Sequence, residues 1–137
     1  MGEVYLTLPC WPPSTNRLWR STTSKTGLPC VYLDQKARAF YNSVKFIVSK
    51  NKAALDAAKL QDSNIGLSIK LFPPDKRKRD IDNVLKALLD SLTKAGAWQD
   101  DSQVSYLEIS KCETAKGGLV KISIWRLAEN AQASLLD

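Results

Sequence analysis

The run Ile65-Gly-Leu-Ser-Ile-Lys-Leu-Phe72-Pro-Pro-Asp75-Lys-Arg-Lys-Arg-Asp80-Ile-Asp82-Asn83-Val84-Leu85-Lys86 decides the architecture of the chain. Ile65, Leu67, Ile69 and Leu71 alternate with Gly66, Ser68 and Lys70, the period-2 pattern of a strand. Pro73-Pro74 ends it, because proline offers no N–H to a ladder. After four cations the period changes. Ile81, Val84, Leu85, Leu88 and Leu92 recur at helical spacing, Asp80 stands where an N-cap belongs, and Ala95-Gly96 supplies a C-terminal stop. The opposite helix face carries Asp82, Lys86 and Asp90 at i, i+4, i+8.

The same reading extends outward from this strand–helix junction. Val4, Leu6 and Leu8 alternate as a short strand that Pro9 and Pro12-Pro13 close. The polar, turn-rich segment from Ser14 to Pro29 reads as a long surface loop. Asp34 is placed to cap a helix in which Ala37, Phe40, Tyr41, Val44, Ile47 and Val48 form the apolar face and which runs to about Lys59. Val104–Lys111 and Leu119–Trp125 read as two strands of an antiparallel hairpin, joined by a tight link at Lys116-Gly117-Gly118. From Ala128 to Asp137 the tail is frayed or a short helix. The order β-α-β-α-β-β predicts one α+β domain over residues 1–137, a mixed sheet with two main helices packed on it.

Composition narrows the chemistry. The formal charge of +6 in 137 residues favours a polyanion such as nucleic acid. Cys10, Cys30 and Cys112 lack disulfide-framework or zinc spacing, which suits a reducing cytoplasm. No apolar run is long enough to span a membrane, and the N-terminal residues lack the order of a signal peptide. The absence of histidine excludes Ser-His-Asp and Cys-His nucleophile systems and histidine-based nucleases. Any metal must then be held by oxygen, which selects Mg²⁺, Mn²⁺ or Ca²⁺.

The cations Lys76, Arg77, Lys78 and Arg79 lie directly against Asp80 and Asp82. Phosphate contacts explain the cations, but two adjacent carboxylates would repel the same phosphates unless a divalent ion neutralises them. Asp100-Asp101 offers a further ligand, since metal-assisted phosphodiester hydrolysis calls for several carboxylates. Each feature also has an ordinary explanation. Asp80 or Asp82 can cap a helix, Asp100-Asp101 can form a turn, and Lys86 can make an i, i+4 ion pair with Asp82 rather than bind a scissile phosphate. Arg17, Arg20 and Lys25, with Trp19 among them, form a second candidate DNA surface. Trp11, Trp98 and Trp125 suit base stacking, the core or a dimer contact.

Distance limits how the carboxylates can meet. A helix over 81–95 is roughly 22 Å long, and residues 96–101 reach about 20 Å fully extended. Asp101 joins Asp80 and Asp82 only if the Ala97-Trp98-Gln99 segment doubles back, or if it completes the site of another chain.

These residues resemble the RusA-type Holliday-junction resolvases, small endonucleases found mainly in bacteriophages and prophages. The likeness runs through Leu8-Pro9, Trp11-Pro12-Pro13-Ser14, Asn16-Arg17, Pro74-Asp75 through Asn83, Lys86-Ala87, Asp90, Leu92 through Gly96, Trp98, Asp100-Asp101, Gln103-Val104 and Lys116-Gly117-Gly118. Cys10 stands as an extra residue before Trp11, and the Ser21–Tyr32 segment departs from the family's pattern. The resemblance implies a homodimer that binds four-way DNA junctions and cuts two strands symmetrically with Mg²⁺ or Mn²⁺. It also implies Asp80, Asp82 and Asp101 as catalytic, metal-holding residues and Lys86 as the functional lysine. The expected activity is that of a structure-specific endonuclease in recombination and repair, acting in a bacterial cell at the nucleoid. Two rival expectations are a non-catalytic junction- or nucleic-acid-binding module and a nuclease acting on forks, flaps or single strands.

Overall fold

The computed structural model describes residues 2–14, 19–23, 25–33 and 35–128, with backbone alone for 19–23 and 29–33. The Asp34 cap, Arg17 and the tail beyond residue 128 lie outside the described residues. Four strands form one mixed sheet: β1 (Val4–Leu8), β4 (Ile65–Phe72), β5 (Val104–Lys111) and β6 (Leu119–Arg126), in the order β1-β6-β4-β5. The helices are α1 (Gln35–Lys50), α2 (Lys52–Ala58) and α3 (Ile81–Ala95). The expected α+β class, mixed sheet and single domain are all present.

Helices cover one sheet face. Val4, Leu6 and Leu8 of β1, the alternate residues Ile65 to Leu71 of β4, and Val120, Ile122 and Ile124 of β6 point into a common core. Phe40, Val44 and Val48 of α1 and Val84, Leu88 and Leu92 of α3 close it from above. Tyr5, Lys70 and Lys121 lie on the opposite, solvent-facing side of the sheet.

Three expectations need correction. The segment read as a loop from Ser14 to Pro29 contains a strand pair, β2 (Trp19–Thr23) antiparallel to β3 (Pro29–Leu33). Thr26-Gly27 falls in the connection, and Gly27 takes a positive φ of 86°. The first helix breaks at Asn51, whose side-chain amide donates to the Ile47 carbonyl at 2.8 Å, and α2 ends at Lys59 in left-handed backbone. A side-chain amide serving the last carbonyls competes with continued helix at that point.

The third correction concerns topology. β5 and β6 are not a hairpin, because β4 lies between them, parallel to β5 and antiparallel to β6. Cys112 N–H donates to the Leu71 carbonyl at 2.7 Å and Ala115 N–H to the Pro73 carbonyl at 2.8 Å. The chain leaving β5 therefore crosses the end of β4 before turning into β6. Burial explains the arrangement. β6 presents three fully buried aliphatics and takes an interior position, whereas β5 is largely exposed and is left at the edge.

Candidate active site

The β4–α3–β5 unit positions the acidic residues. Asp80 has the extended backbone of an N-cap (φ −90°, ψ 138°), and its carbonyl accepts from Asn83 N–H at 3.2 Å. Its carboxylate makes no capping hydrogen bond. Asp82 is exposed one residue into α3, and Lys86 is exposed one turn further on. No ion pair joins Asp82 to Lys86 among the described residues. The ordinary explanations for these three side chains, capping and an i, i+4 pair, are therefore not what occupies them. Two carboxylates and a lysine stand free at the positive end of a helix, where negative charge is favoured.

The preceding cations divide into two pairs. Asp75 clasps both arginines: Arg77 Nη2 lies 3.0 Å and Arg79 Nη1 2.8 Å from its carboxylate oxygens. Those hydrogen bonds, first from Arg79 and then from Arg77, hold the Asp75 carboxyl well below the usual range. The Arg79 guanidinium lies over the Trp11 ring at 5.6 Å, within cation–π reach. Lys111 Nζ donates to the Arg79 carbonyl at 2.8 Å, tying the entrance of α3 to the end of β5. Lys76 and Lys78 remain exposed.

A cleft of about 640 Å³ opens beside this turn, with Trp11 and Pro12 on one side and Lys78, Arg79, Asp80 and Asn83 on the other. Trp11 is fixed from behind by Gly118, where an added Cβ would come within 2.7 Å of the Trp11 Cβ. The glycine link foreseen before β6 thus also seats a wall of the cleft.

Asp101 is held at the other end of α3. The chain past Gly96 does double back, and the Thr93 hydroxyl and the Trp98 indole N–H both bond to Asp101 Oδ1, the latter at 3.2 Å. Trp98 Nε1 also donates to Thr93 Oγ1 at 2.7 Å. Trp98 itself is core, only 1% exposed, so it anchors the exposed carboxylate on a rigid base. Asp100 does different work. It caps the short 3-10 turn Asp101–Gln103 by accepting from Ser102 N–H, and Gln103 Oε1 accepts from Asp100 N–H at 2.9 Å. These bonds lower the Asp100 pKa. The Asp-x-x-Gln spacing is a capping-box signature that sequence reasoning passed over.

Thr93 follows Asp82 by about three helical turns, roughly 16 Å along the axis. Within one chain the structure therefore brings Asp80, Asp82 and Lys86 together and leaves Asp101 apart. Among the described residues no three acidic, histidine or cysteine side chains form a metal-sized cluster. Asp82, Lys86 and Thr93 nevertheless share one face of α3, since positions four and seven residues on fall within ~60° of the first. Of the second cationic surface, the Arg20 backbone lies on β2 and Lys25 is exposed in the β2–β3 connection. Asp90, on the flank of the same α3 face, accepts a 2.5 Å bond from Tyr41 and pairs with Lys94 at 3.3 Å. Burial, then the Asp90 carboxylate, raises the Tyr41 pKa, and the charge of Asp101 adds to it. No described helix is long and apolar enough to cross a membrane.

Comparison with known proteins agrees with this geometry. The family model for endodeoxyribonuclease RusA matches residues 9–125. The crossover junction endodeoxyribonucleases RusA of Escherichia coli and Shigella sonnei are each 37% identical over 124 residues, covering 90% of this chain and 95% of the relative. The protein of that name from Enterobacteria phage 82 is 34% identical over the same coverage. The matched span takes in β4, α3, β5 and the residues from Asp75 to Asp101, and the chain belongs to the RusA family of endodeoxyribonucleases.

Proposed function

We propose that this protein is a metal-dependent endonuclease that resolves four-way DNA junctions by paired, symmetric nicking, and that it does so as a homodimer with shared active sites. One observation carries the reading. The carboxylates of Asp80 and Asp82 stand unspent at the entrance of α3 beside a basic cleft, while the third carboxylate is fixed by Trp98 and Thr93 at the far end of the same helix. A two-fold axis that sets two copies of α3 antiparallel brings Asp80 and Asp82 of one subunit toward Asp101 of the other. It produces two such sites, matching the two-fold symmetry of a four-way junction.

An all-carboxylate donor set fits a hard cation, Mg²⁺ or Mn²⁺, held by Asp80, Asp82 and the partner's Asp101. Such an ion, when bound, supplies charge neutralisation at the phosphate and lowers the pKa of water. The chain's own groups do the rest. Lys86, one turn from Asp82, is placed to bind the scissile phosphate and stabilise developing negative charge. Lys76 and Lys78 contact the DNA backbone without reading sequence, and Arg77 and Arg79 stiffen the turn that presents them while adding positive charge. Arg17, Arg20 and Lys25 extend the basic surface. The setting is the cytoplasm of a bacterial cell, at the nucleoid, on a phage- or prophage-borne gene.

The test is incubation with a synthetic four-way junction, a fork, a flap and a linear duplex, with and without Mg²⁺. The reading expects Mg²⁺-dependent symmetric nicks in the junction. It expects Asp82→Asn to bind the junction undiminished and leave it uncut. Equal cutting of duplex and junction, or full activity in Asp82→Asn, contradicts it.

A further inference from the structure

β5 is the edge of the main sheet, and none of the described residues pairs with its outer side. It is a poorly protected edge. Leu107 and Tyr106 are 38% and 39% exposed, two of the five large hydrophobics with substantial exposure. Leu107 sits in register with the fully buried Leu67 and so faces the helical layer, while Tyr106 pairs with Gly66 and faces the open side. A strand that shows apolar side chains on both faces and a free row of backbone groups is a template for another strand.

We propose that two copies of this chain join through β5, antiparallel about a two-fold axis at Leu107, to make one continuous eight-stranded sheet. This rests on the shared-site reading above and specifies how the site is assembled. Three observations carry it. Pairing with both helical layers on one side requires a two-fold perpendicular to the sheet, so residues on the same face must oppose each other. Centring on Leu107 satisfies this. Leu107 meets the partner's Leu107, and Tyr106 meets the partner's Glu108, the carboxylate its hydroxyl already reaches within the chain at 3.2 Å. Centring on Glu108 would place like charges opposite each other, which is unfavourable.

The second observation is the position of the carboxylates along the strand. Lys111 holds the α3 entrance through its bond to the Arg79 carbonyl, so Asp80 and Asp82 lie at the C-terminal end of β5. Asp101 immediately precedes the N-terminal end. A two-fold at Leu107 sets residue 111 opposite position 103 of the other chain, and so superimposes the Asp80–Asp82 level of one subunit on the Asp101 level of its partner. The third is that α3 runs above the β4–β5 edge, so its Asp82–Lys86–Thr93 face is carried toward its own copy. The bulge where β5 skips Ser105 confines the regular ladder to residues from Tyr106 onward.

Directly opposed residues in an antiparallel ladder have Cα atoms about 4.5–5.5 Å apart, within disulfide range. Leu107→Cys is therefore expected to form a covalent dimer under mild oxidation, with position 107 joined to its own copy by peptide mass spectrometry. Tyr5→Cys, on the opposite edge strand, is the control and should give none. Leu107→Lys places two cations at the axis at a position exposed enough to accept lysine, and should shift sedimentation from dimer to monomer and abolish junction cleavage with the circular dichroism spectrum kept. A protein that remains dimeric as Leu107→Lys and gives no 107–107 link overturns β5 pairing, even if it cuts junctions. A 107–107 link in a protein that never cuts junctions upholds the pairing and removes the enzymatic reading instead.

Discussion

The exposed Asp101 carboxylate depends on one hydroxyl, and Thr93→Val isolates its contribution. Valine keeps the volume of threonine and removes the oxygen that bonds Asp101, accepts from Trp98 Nε1 at 2.7 Å and reaches the Leu89 carbonyl at 2.9 Å. A hydrogen bond to a charged group is worth about 1.5–3 kcal/mol in mutational series, but Asp101 is solvent-accessible and water replaces part of the loss. Trp98 Nε1 is not orphaned either, because Asp101 Oδ1 stays 3.2 Å away. The net cost is therefore about 1 kcal/mol, a fall in Tm of roughly 3–5 °C for a domain of this size. Cleavage should suffer more than stability. A carboxylate no longer fixed by Thr93 loses orientation, and a tenfold loss in kcat corresponds to about 1.4 kcal/mol. Asp101→Asn gives the converse pattern. Its amide oxygen still accepts from Thr93 and Trp98, so Tm should hold within a degree or two, while kcat falls about a hundredfold or more with the lost charge. Thermal melts paired with single-turnover junction cleavage separate the two effects. Unchanged kcat in Thr93→Val despite the lower Tm would refute the claim that this network orients Asp101 for catalysis.

Other substitutions probe the entrance of α3 and the cleft. Gly118→Ala must accommodate both a φ of +83° and a Cβ 2.7 Å from the Trp11 Cβ, so a loss of about 2–4 kcal/mol in chemical denaturation is expected, with weaker junction binding as Trp11 shifts. Gly117→Ala, at φ +80° with open space around it, should cost only about 1–2 kcal/mol; equal losses at the two sites would show that Trp11 is not seated there. Asp75 has a folded pKa below its ordinary value of 3.8, so its stabilising contribution is complete above that pH and is lost as pH falls through the lower folded value. Melts of wild type and Asp75→Asn should therefore differ at neutral pH and converge only below 3.8; convergence already at pH 5 would contradict the clasp. Lys78→Ala should weaken junction binding uniformly across sequences and reduce the slope of log Kd against log salt by about 1, and an unchanged slope would remove Lys78 from the phosphate contacts.

Much of the fold is legible in the chain because burial writes a period. β1, β4 and β6 each expose one alternating side to the core, and α1 and α3 each carry a stripe at helical spacing. The pairing of β5 is not legible in the same way. Its alternation fits a hairpin with β6 equally well, and what decides against that is the crossing of residues 112–115 over the end of β4, a set of backbone bonds that carries no side-chain signature. The break at Asn51 and the β2–β3 pair were hidden because polar residues suit loops, helix ends and short exposed strands alike.

The candidate site divides along the same line. Asp80, Asp82 and Lys86 are readable because they sit within one helical turn or so of each other. The distinction between Asp100 and Asp101 needs the structure, since adjacent identical side chains take a capping role and an outward-facing role according to backbone geometry alone. Asp75 was invisible as a clasp because a carboxylate beside four cations has several possible partners. The distance between Asp82 and Asp101 was bounded by chain length, but only the Thr93 bond fixes it.

That separation makes subunit mixing the most direct measurement. Asp82→Asn and Asp101→Asn should each be inactive alone. In a heterodimer of the two, one site contains both substitutions and the other contains Asp80 and Asp82 of the Asp101→Asn subunit with Asp101 of the Asp82→Asn subunit. A shared site predicts that co-refolding the variants restores nicking of the junction, at one of the two symmetric positions per heterodimer and in about half of the dimers if mixing is random. If each site is built within one chain, every site in the mixture carries a substitution, and the absence of any restored nicking would contradict the account.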